Sequence, residues 1–146
     1  MEEKTAMIIT NSFSINMLDP RIEAANIHTE RIDAAQAREL VAYASWRPAI
    51  GHEDIARIAA DILGTATLFR RETISWAGSE DILIVQYRGP RLAPGAVALP
   101  IGATIEWWLI DCQKCTVTFR RDFAELDQAL ATPDAISKID MARRNI

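Results

Sequence analysis

Apolar residues recur along the chain in two rhythms, short unbroken runs and a spacing of three to four, and each predicts a different element. Ala6–Thr10 is an apolar run ending in polar Asn11 and Ser12, the pattern of a buried strand that delivers a loop at its carboxyl end. Asp19-Pro20 interrupts the chain, and 22–32 then alternates loosely between apolar and polar residues, which predicts a second strand. Asp33 followed by Gln36 has the form of a capping box, with Ala37, Leu40, Val41 and Ala44 at helical spacing behind it. A helix is therefore expected over 33–45, in a region that Pro48 ends. A second helix is expected to open at Gly51, with Glu53 and Asp54 in its first turn, where acidic side chains meet the positive end of the dipole. It lays Ile55, Ile58, Ala59 and Ile62 along one face and closes at Gly64.

Beyond that helix the pattern is of strand type. The stretch 65–76 reads as a strand with an irregular end, Ala77-Gly78-Ser79 as a turn, and 81–87, with Ile82-Leu83-Ile84-Val85, as a central strand covered on both faces. A loop follows over 88–100, punctuated by Gly89, Pro90, Pro94, Gly95 and Pro100. Two more strands, 103–110 and Thr116–Phe119, read as a hairpin pinched near the cysteines, and from Asp122 onward the pattern is helical, interrupted at Thr132-Pro133. This order predicts an α+β fold of α/β-like character, a mixed central sheet with helices packed on one side. Trp107, Trp108 and Tyr87 lie on strands whose two faces are both apolar, so the other side of the sheet needs cover as well. A homodimer interface is the economical cover. One α/β domain is expected over 1–121, with 122–146 as a helical extension packed on it.

Composition narrows the function classes. With 49% hydrophobic residues among 146, the chain is long and apolar enough for one core and too apolar for disorder. No apolar run is long enough to span a bilayer, and the amino end lacks a signal-sequence pattern, so membrane binding is not expected and a cytoplasmic location is. Sixteen Lys and Arg stand against 20 Asp and Glu, a net charge of −4, which argues against a broad basic surface for long nucleic acid. A phosphate ligand would then sit in a local pocket. Cys112-Gln113-Lys114-Cys115 supplies half of a closed zinc site, and its surroundings read as strands rather than the helix start a redox pair prefers. No metal and no cofactor are assigned.

The polar residues with chemical potential are few. His28 falls in an expected strand with no acid at ligand spacing and reads as structural or exposed rather than catalytic. His52 stands where free helix N–H groups favour an anion, well placed to meet a phosphate, although a half-buried residue opening a helix fits the pattern equally. Asn11, Ser12, Phe13, Ser14 and Asn16 form a loop of hydroxyl and amide groups after the first strand, which helix capping also explains. Arg88-Gly89-Pro90-Arg91 puts two guanidinium groups on a stiff loop, suited to phosphate or simply solvated. The pairs Arg70-Arg71, Arg120-Arg121 and Arg143-Arg144 read as exposed charge. Spacing alone leads as far as a small phosphate-binding domain.

Asn11-Ser12-Phe13-Ser14-Ile15-Asn16-Met17-Leu18, Ile50-Gly51-His52 opening a helix, Leu63-Gly64-Thr65 closing it, and Val85-Gln86-Tyr87-Arg88-Gly89-Pro90-Arg91-Leu92 followed by Gly95 together resemble the ring nucleases of type III CRISPR systems, viral anti-CRISPR proteins and their cellular relatives. The resemblance spans roughly residues 5 to 112 in order. It implies a homodimer whose two-fold cleft holds cyclic tetra-adenylate and cuts it, without metal, to linear di-adenylate. A ribose 2′-hydroxyl attacks the adjacent phosphorus, a 2′,3′-cyclic phosphate forms, and the 5′-oxygen departs with a proton. By resemblance His52 is the general acid, Arg91 steadies the phosphorane, Ser14 orients ribose or phosphate, and Asn16 holds the loop or the ligand. Asn11, Ser12, Phe13, Gly51 and Arg88 complete the expected ligand-binding set. The protein would act in the cytoplasm, the host's if the gene is viral.

The chain departs from the family pattern at Pro94, where active members carry a glutamate three residues after the arginine. Two alternatives therefore stand beside the nuclease. One is a sponge or sensor that binds the ring with weak turnover or none, and the other is a non-enzymatic interaction protein that uses its apolar sheet face.

Overall fold

The computed structural model describes residues 6–121; the helical extension expected over 122–146 lies outside the described residues. Among the described residues, seven strands and two α-helices occur in the order β1 (Ala6–Thr10), β2 (Ile22–Asn26), β3 (Thr29–Ile32), α1 (Ala34–Tyr43), β4 (Ser45–Ala49), α2 (Glu53–Leu63), β5 (Asp81–Arg88), β6 (Thr104–Ile110) and β7 (Thr116–Phe119). Five strands form one sheet in the order β3-β6-β5-β1-β4, and β2 pairs with β7 in a separate two-stranded sheet. β1 lies parallel to β4 and β5, whereas β6 runs antiparallel to β5 and β3. The sheet is mixed and the fold is α+β.

Both helices end as their sequences require. Asp33 accepts the Gln36 N–H at 2.7 Å while its own N–H donates to Gln36 Oε1 at 2.9 Å, a reciprocal cap on α1. α2 closes at Gly64, whose φ of 65° is left-handed and favours a residue without Cβ. The helices share one side of the sheet, where Ala37, Val41, Ile55 and Ile58 pack against Met7, Ile9, Leu83 and Trp107. Alternation along the strands sends Ile8, Ile82 and Ile110 to the opposite side, where Ile74 and the fully buried Trp76 cover them. Cover there is partial. Phe13, Ile27, Ile84, Gln86 and Trp108 line an open groove of about 360 Å³ on that side.

Four expectations are corrected. The stretch 22–32 is two strands, β2 and β3, placed in different sheets, with His28 between them. β7 does not form a hairpin with β6; it pairs with β2 across the chain, where Asn26 Nδ2 donates to Thr116 Oγ1 at 3.1 Å. The stretch 65–76 is not a strand but an irregular cover held by single bridges, Ile50 to Phe69 and Leu18 to Trp76. Finally, Pro48 does not end a region, because it lies within β4. β4 is an edge strand, the position in a sheet where a missing N–H is tolerated.

Candidate functional site

β1, β4 and β5 run parallel, so their carboxyl ends open on the same side, the usual place for a site on such a sheet. β1 delivers Asn11 to Asn16, β4 delivers Gly51 and His52, and β5 delivers the loop with Arg91. One hydrogen bond joins the first two loops: Asn11 Oδ1 accepts the Gly51 N–H at 3.3 Å. Between them lies a cleft of about 380 Å³, lined by Asn11, Ser12, Ser14, Asn16, Gly51 and Arg71 with Glu72 and Thr73. That volume is in the lower part of the ~300–1,000 Å³ range of small-ligand pockets.

His52 is exposed and is itself the cap of α2, one residue beyond the Gly51 opening expected from sequence. Its Nδ1 accepts the Ile55 N–H at 3.3 Å. With Nδ1 committed as an acceptor, the neutral ring carries its proton on Nε2, which is the nitrogen free to donate to a ligand. Glu53 and Asp54 stand in the same helical turn, but Arg57 holds both, at 3.7 and 3.0 Å.

The sequence-predicted residues do not all converge. Ser14 and Asn16 are exposed at the cleft, around a short 3-10 turn, Ile15–Met17, where the Met17 N–H donates to the Ser14 carbonyl at 2.9 Å. Phe13 turns away and meets Trp76 edge to face at 5.8 Å. Arg88 is engaged on the sheet, its Nε donating to Glu106 Oε1 at 2.7 Å. Arg91 is exposed and makes no hydrogen bond or ion pair among the described residues, while its neighbour Leu92 is buried in the helix-side core and anchors the loop. The loop also needs Gly89, because a Cβ there would lie 2.6 Å from that of Ala103. His28 is exposed and pairs with Glu30 at 2.7 Å, so an acid does accompany it.

One functional candidate and one structural carboxylate escape the sequence pattern. Arg71 reaches the cleft because the Ile50 carbonyl accepts the Arg70 N–H at 2.9 Å, laying 68–73 beside the end of β4. Arg47 fixes the continuation of that segment by holding both Glu72 and Glu80; the Glu80 hydrogen bond, opposed by burial, raises the guanidinium pKa further. The other is Glu106, which accepts from Trp108 Nε1 at 3.1 Å and lies 3.3 Å from Arg31 as well as beside Arg88. The Trp108 hydrogen bond first, then Arg88 and Arg31, hold its carboxyl below the ordinary 4.5 despite desolvation. Both residues lie in stretches whose neighbours dominate the local pattern.

A family model described as STIV B116-like matches residues 7–100. Among solved structures, B116 of Sulfolobus turreted icosahedral virus matches with a TM-score of 0.53 at 20% identity, covering 71% of this chain and 97% of that one. At that identity the likeness speaks for the fold. A comparison with curated proteins finds no match.

Proposed function

The chain belongs to the STIV B116-like family, and from that premise we propose that it is a metal-independent ring nuclease cleaving cyclic tetra-adenylate to linear di-adenylate. The observation that carries the reading is His52, seated at the α2 amino end next to Gly51, which lines a cleft of amides, hydroxyls, Arg71 and Glu72, with Nε2 as its free nitrogen. In the proposed reaction the ring's own 2′-hydroxyl attacks and loses its proton to solvent, while His52, as the imidazolium, gives its Nε2 proton to the departing 5′-oxygen. Arg91, which has no competing carboxylate among the described residues, steadies the charge gathering on phosphorus. Ser14 and Asn16 orient the ribose and the loop, and Asn11 ties its loop to Gly51 on the other side of the cleft. Two copies facing across the open sheet side would present the same residues to opposite phosphates of the ring.

The test is incubation of the protein, in excess and with EDTA, with labelled cyclic tetra-adenylate. Release of linear di-adenylate is expected, and recovery of the intact ring would remove the enzyme reading. A second reading, ring binding with little turnover, is favoured by Pro94, which is exposed in a loop with no carboxylate to orient Arg91. In the same experiment it predicts a tightly bound ring released unchanged on denaturation.

A further inference from the structure

The end of the sheet opposite the cleft brings together chemistry that the proposed reaction does not use. Asp81 begins β5 and Asp111 follows β6, and the register pairing Ile82 with Ile110 sets the two carboxylates side by side. Asp111 Oδ1 accepts the Gln113 N–H at 3.0 Å, capping a short 3-10 turn, Cys112–Lys114, and Asp81 Oδ1 accepts the Cys112 N–H at 2.9 Å. Each backbone bond fixes a carboxylate through one oxygen, the support that metal-binding carboxylates characteristically have, and the Asp81 carboxylate also hydrogen-bonds the Cys112 thiol. No Lys, Arg or His forms an ion pair with either acid among the described residues. The Cys112 Sγ completes the group: it and one oxygen of each carboxylate all lie within 4.8 Å of one another. The sequence offered the cysteine pair as half a zinc site; the fold instead sets one of the two cysteines beside a pair of carboxylates.

We propose that Asp81, Asp111 and Cys112 bind a divalent cation of the zinc type, which fastens the start of β5 to the turn where the chain leaves the main sheet. Zn–S of about 2.3 Å and Zn–O of about 2.0–2.2 Å require the three donors to draw in by roughly 1 Å, within the reach of side-chain rotation. The thiol proton leaves to solvent as the Sγ–metal bond forms. A thiolate in the donor set selects zinc, cobalt or cadmium over magnesium and calcium, which take oxygen alone. Water fills the fourth position. Cys115 is a bystander, because its Sγ lies 3.3 Å from the Asp111 carbonyl, outside the cluster.

Titration of the reduced, chelator-treated full chain with cobalt(II) tests this. One equivalent per chain should give a thiolate-to-cobalt charge-transfer band with tetrahedral visible bands, abolished by zinc, and zinc should raise the melting temperature. Cys112→Ser should remove the charge-transfer band, and Asp81→Asn should weaken binding by more than about tenfold. Circular dichroism of the metal-free variants shows whether they are folded, and Asp111→Asn, which keeps the turn cap, serves if Asp81→Asn is not. Cys115→Ser should leave the spectrum as it is. No charge-transfer band in the folded chain, a band that survives Cys112→Ser, or loss on Cys115→Ser as large as on Cys112→Ser overturns the site.

Discussion

His52 has two jobs that one alanine substitution would confuse. In the neutral ring its Nδ1 holds the Ile55 N–H at the start of α2, and on the proposed reading the imidazolium gives its Nε2 proton to the leaving oxygen. Asparagine is among the best helix caps and has no acid to offer. His52→Asn should therefore keep thermal stability within a few tenths of a kcal/mol while turnover falls by about 10²–10⁴. His52→Ala should lose both; equal turnover in the Asn variant and the wild type would clear His52 of the acid role. Glu106 gives a second prediction at this scale. Its carboxyl is held below 4.5 chiefly by the Trp108 N–H, so it stabilises the fold above 4.5 and that contribution fades as pH falls through the lowered value. Carboxyl NMR should place its midpoint below 4.5, and Trp108→Phe should move it upward. The sequence exposed His52 and the Asn11–Asn16 loop because their roles follow from local position, a helix start and a strand end. Arg71 and Glu106 were illegible because distant pairing, of Ile50 with Phe69 and of β5 with β6, decides what each one faces.

Elements were readable in proportion to how locally they are determined. α1 and α2 carry period, caps and stops within a dozen residues each, and the Asp33–Gln36 box and Gly64 formed as read. β4 was hidden because Ser45–Ala49 has no apolar alternation and contains Pro48, and only the edge position next to β1 makes it a strand. The opposite error over 65–76 has a related cause. Leu68, Ile74 and Trp76 are apolar because they are buried, Leu68 in the helix-side core and the others under the opposite face, not because they alternate in a ladder. The caps yield a prediction here. Asp33→Ala removes the acceptor for the Gln36 N–H and should cost about 0.5–2 kcal/mol. Gly64→Ala places a Cβ at a φ of 65° and should cost roughly 1–2 kcal/mol. Urea unfolding measures both, and because the sites cap different helices their effects should add.

For the whole molecule, the asymmetry of the sheet is what matters. One side is sealed by two helices; the other is sealed by Trp76 and Ile74 over part of its area and leaves the groove around Phe13, Ile84 and Trp108 open. A net charge of −4 disfavours long nucleic acid, yet it leaves room for Arg71 and Arg91 to meet a small anionic ligand at one end of the sheet. A single chain offers one His52 and one cleft of about 380 Å³, far smaller than a ring of four nucleotides. On the proposed reading, two chains must share each ring, so calorimetry with a slow-cleaving His52→Asn protein should saturate at one ring per two chains. The two-fold arrangement also makes binding depend on assembly. Trp108→Glu places a charge at the mouth of the open groove and should weaken ring affinity in step with the dimer, as followed by sedimentation, whereas Arg91→Ala should weaken the ring and leave assembly unchanged. A stoichiometry of one ring per chain, or full affinity in a Trp108→Glu monomer, would place the ligand within one protomer and end the shared-cleft reading.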